Sequence, residues 1–202
     1  FKSVSAAEVA AIVAWRVIAV KDRISALVFG DKDLEVISGG GGRNHVMRIL
    51  QTIVRHNQKL GIDREIQSAP EMLNTALGRV ERLVKHDAMV VVITDAAGSD
   101  DETRAILSRI AAHNDVAVAF IHDPLEIELP DAGPRVFASG NLQLEANTSQ
   151  TDLRRKFNED FQKRYETARR FLIQREAPLL PIRTDEEIAP QLRRLLGKRI
   201  RR

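Results

Sequence analysis

The sequence predicts an α/β domain, a Rossmann-like and largely parallel sheet flanked by helices, on three observations. Short apolar runs suited to strands, residues 24–29, 89–93 and 116–121, alternate with segments of helical periodicity. The run MVVVITD at 89–95 is apolar until it ends on Thr94 and Asp95, as a central parallel strand does when it delivers a carboxylate to its C-terminal edge. With 202 residues, 44% of them hydrophobic, the chain can bury a core of its own and is expected to form one domain over residues 1–202.

Residues 5–20 read as the first helix, because Ala6, Val9, Ala10, Val13, Val17 and Val20 recur at three- and four-residue steps, with Ser3 or Ser5 as cap and Trp15 and Ile18 widening the apolar face. ISALVF at 24–29 is a strand, residues 30–33 a hairpin turn, and 34–37 the returning strand. Ser38 and the glycines 39–42 form a loop, followed by a helix through Val46, Ile49, Leu50, Ile53 and Val54 that ends near Gln58. Residues 60–68 connect to a helix opened by Pro70 and striped by Met72, Leu73, Ala76, Leu77, Val80 and Leu83.

After the strand at 89–95, residues 100–113 are helical and 116–121 form a second buried strand ending in His122, Asp123 and Pro124. Short alternating pieces at 126–130, 135–138 and 142–145, separated by Gly133-Pro134 and Gly140-Asn141, predict a small β-hairpin insertion near 125–146. Residues 152–176 are a long amphipathic helix with Leu153, Phe157, Phe161, Tyr165, Ala168 and Leu172 on one stripe. A last strand at 178–182 precedes Thr184, Asp185, Glu186 and Glu187, which resemble a cap and acidic first turn for a helix over 186–197.

Thirty-one basic against 28 acidic residues give a formal charge of +3, too weak a bias for a general nucleic-acid or membrane-surface protein. The basic excess sits at the end, in Arg193, Arg194 and residues 198–202. The absence of cysteine excludes disulfides and thiolate chemistry and fits the cytoplasm, the expected location. The stretch 6–20 is interrupted by Glu8 and Arg16 and is too short to span a bilayer. The chain opens on Phe1, not Met, and is expected to be a fragment that begins inside a fold.

Asp95 is the leading functional candidate, since ligands of open α/β sheets gather at the carboxyl ends of strands. Ser99, Asp100 and Asp101 follow it and offer the oxygen ligands that a hard cation such as Mg²⁺ takes; equally, Ser99 caps the next helix and Asp100, Asp101 and Glu102 favour its positive end. The four glycines match neither phosphate-loop fingerprint, because Asn44 and His45 stand where a glycine is required. The five histidines lack zinc spacing, and there is no serine elbow. The Phe157, Phe161 and Tyr165 stripe reads as core, not as a base-stacking platform.

Residues 5–29 followed by VVVITD at 90–95 resemble the von Willebrand factor type A fold. DRISALVFGD at 22–31, DPLEIELPDAG at 123–133, the long charged helix and LLPIRTDE at 179–186 look like the bacterial family catalogued as domain of unknown function 58, commonly described as associated with MoxR-type AAA+ ATPases. The type A fold implies a metal-ion-dependent adhesion site made by D-x-S-x-S, a Thr and an Asp, completed by a partner's carboxylate. Only the last position carries over, as Asp95; Arg43 and Asn44 stand where the Thr belongs, and the first strand with its D-x-S-x-S would precede residue 5. The resemblance therefore implies a degenerate or absent metal site.

The resulting expectation is a non-enzymatic protein-interaction domain, a partner of a MoxR-type ATPase in protein-complex maturation. Asp95 would lie at the ligand edge with Ser99, Asn44 and Asp100, and no nucleic acid or membrane span is expected. One alternative is a Mg²⁺-dependent phosphoryl-transfer or hydrolase domain using Asp95, and another a nucleic-acid-binding module led by the basic C-terminal helix.

Overall fold

The segment DVAVAFIH has no polar face, so whichever way it lies it needs cover on both sides. In the computed structural model, which describes residues 1–60, 69–139 and 142–197, it forms the centre of a three-stranded parallel sheet. In chain order the elements are α1 (Lys2–Ala19), β1 (Ile24–Phe29), β2 (Leu34–Gly40), α2 (Arg43–Gln58), α3 (Met72–Leu83), β3 (Met89–Thr94) and α4 (Asp101–Ala111). There follow β4 (Asp115–His122), α5 (Pro124–Ile127), β5 (Pro134–Ser139), β6 (Leu142–Asn147), α6 (Thr151–Ile173), β7 (Leu179–Arg183) and α7 (Ile188–Gly197).

β4 pairs in parallel with β3, Val90 opposite Val116, and with β7, Ile121 opposite Ile182. The two-residue alternation of the strand then builds two cores. Val116 and Val118 pack with Leu73 and Leu77 of α3, Ile106 and Ile110 of α4 and Leu172 of α6. Ala119 and Ile121 face the other way, onto Val9 of α1 and Ile188 and Leu192 of α7. The result is a sheet between two helical layers, α1, α2 and α7 on one side and α3, α4 and α6 on the other.

The parallel sheet is smaller than the sequence predicts. β1 pairs only with β2, antiparallel, as the short turn at 30–33 dictates. One edge of β1 and one edge of β3 carry no ladder partner among the described residues. The β5–β6 hairpin, Arg135 opposite Ala146, is the predicted insertion. It starts at Pro134 and not near 125, because Asp123, Pro124 and Glu126 close a capping box with proline in the first turn and make residues 124–127 a helix.

Three other boundaries move for identifiable reasons. α1 starts at Lys2 with no side-chain cap, and Ser5 is buried inside it. β2 runs on through Gly39 and Gly40, the residues predicted as loop. A side chain at Gly40 would stand 2.5 Å from the His45 ring, whose Nε2 lies 2.8 Å from the Ile24 carbonyl. α7 begins at Ile188, because the Thr184 hydroxyl donates to Asp123 (2.7 Å) and does not cap the helix. The predicted connection at 61–68, the Gly140-Asn141 turn and the basic tail 198–202 lie outside the described residues.

Gln191, 1% exposed, ties α7 to the end of β7: its Oε1 accepts from the Arg183 amide (2.9 Å) and its Nε2 donates to the Arg183 and Glu186 carbonyls (2.9 and 3.0 Å). Gln191→Leu leaves these buried backbone groups without partners and is expected to lower stability by about 2–3 kcal/mol in urea unfolding.

Candidate functional site

The strands of the parallel sheet end on polar residues, Thr94 and Asp95 after β3, His122 and Asp123 after β4, Arg183 and Thr184 after β7. This edge is where a doubly wound sheet collects its ligands. Lys2, at the N-terminus of α1, crosses it. Its Nζ donates to Asp95 Oδ2 (2.7 Å) and to Glu126 Oε1 on α5 (2.6 Å).

Burial opposes both charges, but the pairing outweighs it. Partial burial pushes the Asp95 carboxyl up, and the Lys2 hydrogen bond and charge, with the Ala97 amide at 3.1 Å, bring it net below the usual carboxylate range. Burial likewise pushes Lys2 down, and Asp95 and Glu126 bring it net upward. The backbone beside Asp95 is tight: Ala96 has φ 57° and donates its amide to Thr94 Oγ1 (3.0 Å).

The other acids at this edge are also engaged. Asp123 Oδ1 accepts from the Leu125 amide (3.0 Å) and Oδ2 from the Thr184 hydroxyl (2.7 Å), both of which lower its pKa. Glu126 Oε2 accepts from the Asp123 amide (3.1 Å), so Glu126 serves a cap with one oxygen and Lys2 with the other. His122 is buried, stacked on Phe120 (5.6 Å) and 5.9 Å from Phe161. Its Nδ1 has no hydrogen-bond partner among the described residues, and burial lowers its pKa.

The predicted site residues do not converge on Asp95. Asp100, and not Ser99, is the N-cap of α4: it accepts from the Thr103 amide (2.9 Å) and from Asn74 Nδ2 on α3 (3.0 Å), and its pKa falls accordingly. Ser99 is exposed at the mouth of the groove between α3 and α4. Asn44 is exposed in the first turn of α2. That turn is tied through His45 to Ile24, close to where α1 ends. The 18 residues of α1 put about 27 Å between that end and Lys2.

A Mg²⁺ ion does not fit this donor set. Lys2 Nζ already presents positive charge to Asp95 and Glu126, Asp100 and Asp123 accept from backbone amides, and no group of three His, Cys, Asp or Glu side chains among the described residues is arranged to hold a metal. Sequence reasoning missed Lys2 and Glu126. Glu126 lay within the DPLEIELPDAG motif, whereas Lys2 stands outside the helical periodicity that located α1 and gave no signal.

The aromatic stripe of α6 faces the sheet. Phe161 stacks on Tyr165 (6.3 Å), and both rings approach Phe120 of β4. The neighbouring Arg154 and Arg155 are paired with Asp131 and Asp152.

The family model described as "Protein of unknown function DUF58" matches residues 1–167. No curated protein matches. Among solved structures, the chain is similar to the conserved hypothetical protein BatB from Bacteroides thetaiotaomicron, at 13% identity and a TM-score of 0.47, over 97% of this chain and 89% of that one.

Lys2→Ala is expected to destabilise the fold by about 1 kcal/mol, the half-exposed pairing being screened by water, and to lower Tm by roughly 2–4 °C. Asp95's depressed pKa makes its contribution present above the unfolded value of about 3.9 and lost as pH falls through the folded one; Lys2's raised pKa makes its contribution present below about 10.4 and lost as pH rises further. Thermal melts of the two proteins should therefore differ most between about pH 4 and 10.

His122 has a depressed folded pKa, so its neutral form contributes stability above about pH 6.5 that is lost as pH falls through the folded value. Urea titrations should show a loss of stability below about pH 6.5 that is smaller in His122→Phe.

Proposed function

We propose that this chain, which belongs to the family of proteins of unknown function DUF58, is a non-enzymatic protein-interaction domain. The observation that carries this reading is the Lys2 bridge between Asp95 and Glu126. General acid–base or metal-assisted chemistry needs carboxylates whose environments set them apart in protonation or leave them open to an ion. Here the carboxylates at the sheet edge take up hydrogen bonds from within the chain, with Lys2 shared between Asp95 and Glu126.

The finer reading is a von Willebrand factor type A-like adaptor that meets a MoxR-type AAA+ ATPase in the cytoplasm during maturation of a protein complex. It is supported by the DRISALVFGD, DPLEIELPDAG and LLPIRTDE segments. Fold resemblance alone does not establish function, and the ATPase is the part of the reading that needs its own test. No helix among the described residues is long and apolar enough to cross a membrane. The nucleic-acid alternative draws on residues 198–202, outside the described part.

Two measurements test the reading. Tagged chain is expected to retain a MoxR-type ATPase on co-purification, and failure to do so overturns the partnership. Calorimetric titration with Mg²⁺ and Mn²⁺ is expected to give no saturable heat. Saturable binding that Asp95→Ala abolishes would instead establish a metal site and return the Mg²⁺-dependent enzyme to first place.

A further inference from the structure

The outer face of the layer that holds α1 and α2 carries a group of exposed apolar side chains. A helix between a sheet and water normally turns charge to the water. The solvent side of α1 instead carries Val4, Ile12 and Trp15, with Glu8 and Arg16 as its charges. Trp15, the single tryptophan of the chain, is 39% exposed and Ile12 37% exposed. On α2, Met47 and Val54 are 40% and 52% exposed.

Helical position places these side chains along one seam. Val9, Ala6 and Val13 turn one flank of α1 toward α7 and β4, which leaves its other flank, lined by Ala7, Ala11 and Ala14, for α2. Arg55 reaches Glu35 on β2, the outer strand of its hairpin, and Met47 and Val54 stand about 80–100° around α2 from it, on the part of the solvent face that leans toward α1. His45 holds the start of α2 near the end of α1, so the two helices run antiparallel. Trp15 and Met47 then stand at one end of the seam, Val4 and Val54 at the other.

The charge around the seam is mostly basic. α2 contains no acidic residue, and Arg16, Arg43 and Arg48 make no ion pair among the described residues. On the opposite layer Arg109 pairs with Glu81, Arg155 with Asp152 and Arg169 with Glu166, while Arg79, Arg82 and Arg170 make no ion pair among the described residues. Beside the apolar seam, Glu8 is the one acid that α1 and α2 offer to these three arginines, Arg16, Arg43 and Arg48.

We infer that the outer face of the α1–α2 pair is a docking surface for an acidic amphipathic helix of a partner protein. An apolar stripe on that helix would lie along the seam, with Trp15 as its anchor, and its carboxylates would meet the guanidinium forks of Arg16, Arg43 and Arg48. A protein fits better than a membrane, because Val4, Ile12, Trp15 and Met47 are more than half covered and lie along the helices, whereas a membrane-anchoring face sinks its side chains into the acyl boundary. It fits better than nucleic acid, whose phosphates would answer the arginines and leave the apolar seam unmatched. The inference deepens the protein-interaction reading and rests on it.

Trp15 reports on its own surroundings, so the test needs no label. The whole chain is titrated with a synthetic helical peptide that has a leucine stripe and glutamates on its other face, and with the matching lysine peptide, while Trp15 emission is recorded. The expected result is a saturable blue shift with the glutamate peptide alone. Arg43→Glu combined with Arg48→Glu, in a protein whose circular dichroism and melting curve are retained, should weaken that binding at least tenfold.

No saturable shift, or an equal response to the lysine peptide, overturns the inference. So does a shift produced by phosphatidylglycerol vesicles or duplex DNA and not by the glutamate peptide. The ATPase co-purification separates the two readings: ATPase retained without peptide binding overturns this surface and leaves the interaction reading standing. Peptide bound without ATPase overturns the ATPase partnership and leaves the surface standing.

Discussion

A strand that is apolar on both faces cannot rest against water on either, and the requirement to cover β4 twice organises this protein. Val116 and Val118 demand one helical layer, Ala119 and Ile121 another, and the parallel neighbours β3 and β7 follow because helical crossovers are the way a chain returns to the same edge of a sheet. Each layer brings its own chemistry to the surface. α3, α4 and α6 present the pairs Arg109–Glu81, Arg155–Asp152 and Arg169–Glu166, whereas α1 and α2 present Trp15, Met47 and Val54 beside Arg16, Arg43 and Arg48.

The same geometry decides what the sheet edge is good for. Strand ends aligned in parallel bring Asp95, His122 and Asp123 to one margin, the arrangement from which many α/β enzymes draw acids and bases. The helices packed beside the sheet then deliver their own termini to that margin. Lys2 arrives with α1 and the Asp123–Glu126 capping box with α5, and the carboxylates are taken up by an ammonium, backbone amides and a hydroxyl. Part-buried polar groups paired from within the chain hold one another in place along this edge. His122 stands apart, with its Nδ1 unsatisfied among aromatic rings, and burial holds its imidazole toward the neutral form.

Much of the framework was legible from residue order. The strands at 89–94 and 115–122, the helices at 72–83, 101–111 and 151–173 and the hairpin around residue 140 follow from period and turn chemistry, which are local properties. Short elements were harder. α5 is one turn long, too brief for any apolar period, and it was visible only through the Asp-Pro-x-Glu pattern of its cap. Gly39 and Gly40 looked like loop, because the ring that excludes a side chain from Gly40 belongs to His45, in the helix beyond the strand.

By itself the sequence determined the α/β class, the strand that carries Asp95 and the aromatic stripe of α6 that faces the sheet, because each is written in the spacing of apolar residues along a few turns or a few pleats. Tertiary structure alone decided which side chains meet. Lys2 and Asp95 are 93 positions apart and Lys2 and Glu126 are 124 apart, so no local pattern could announce the bridge that crosses the edge. Asn44, expected beside Asp95, lies near the other end of α1, since a helix 18 residues long separates places that the order of loops had suggested were neighbours. The seam between α1 and α2 has the same origin, because exposure depends on which flank of each helix its neighbours leave uncovered.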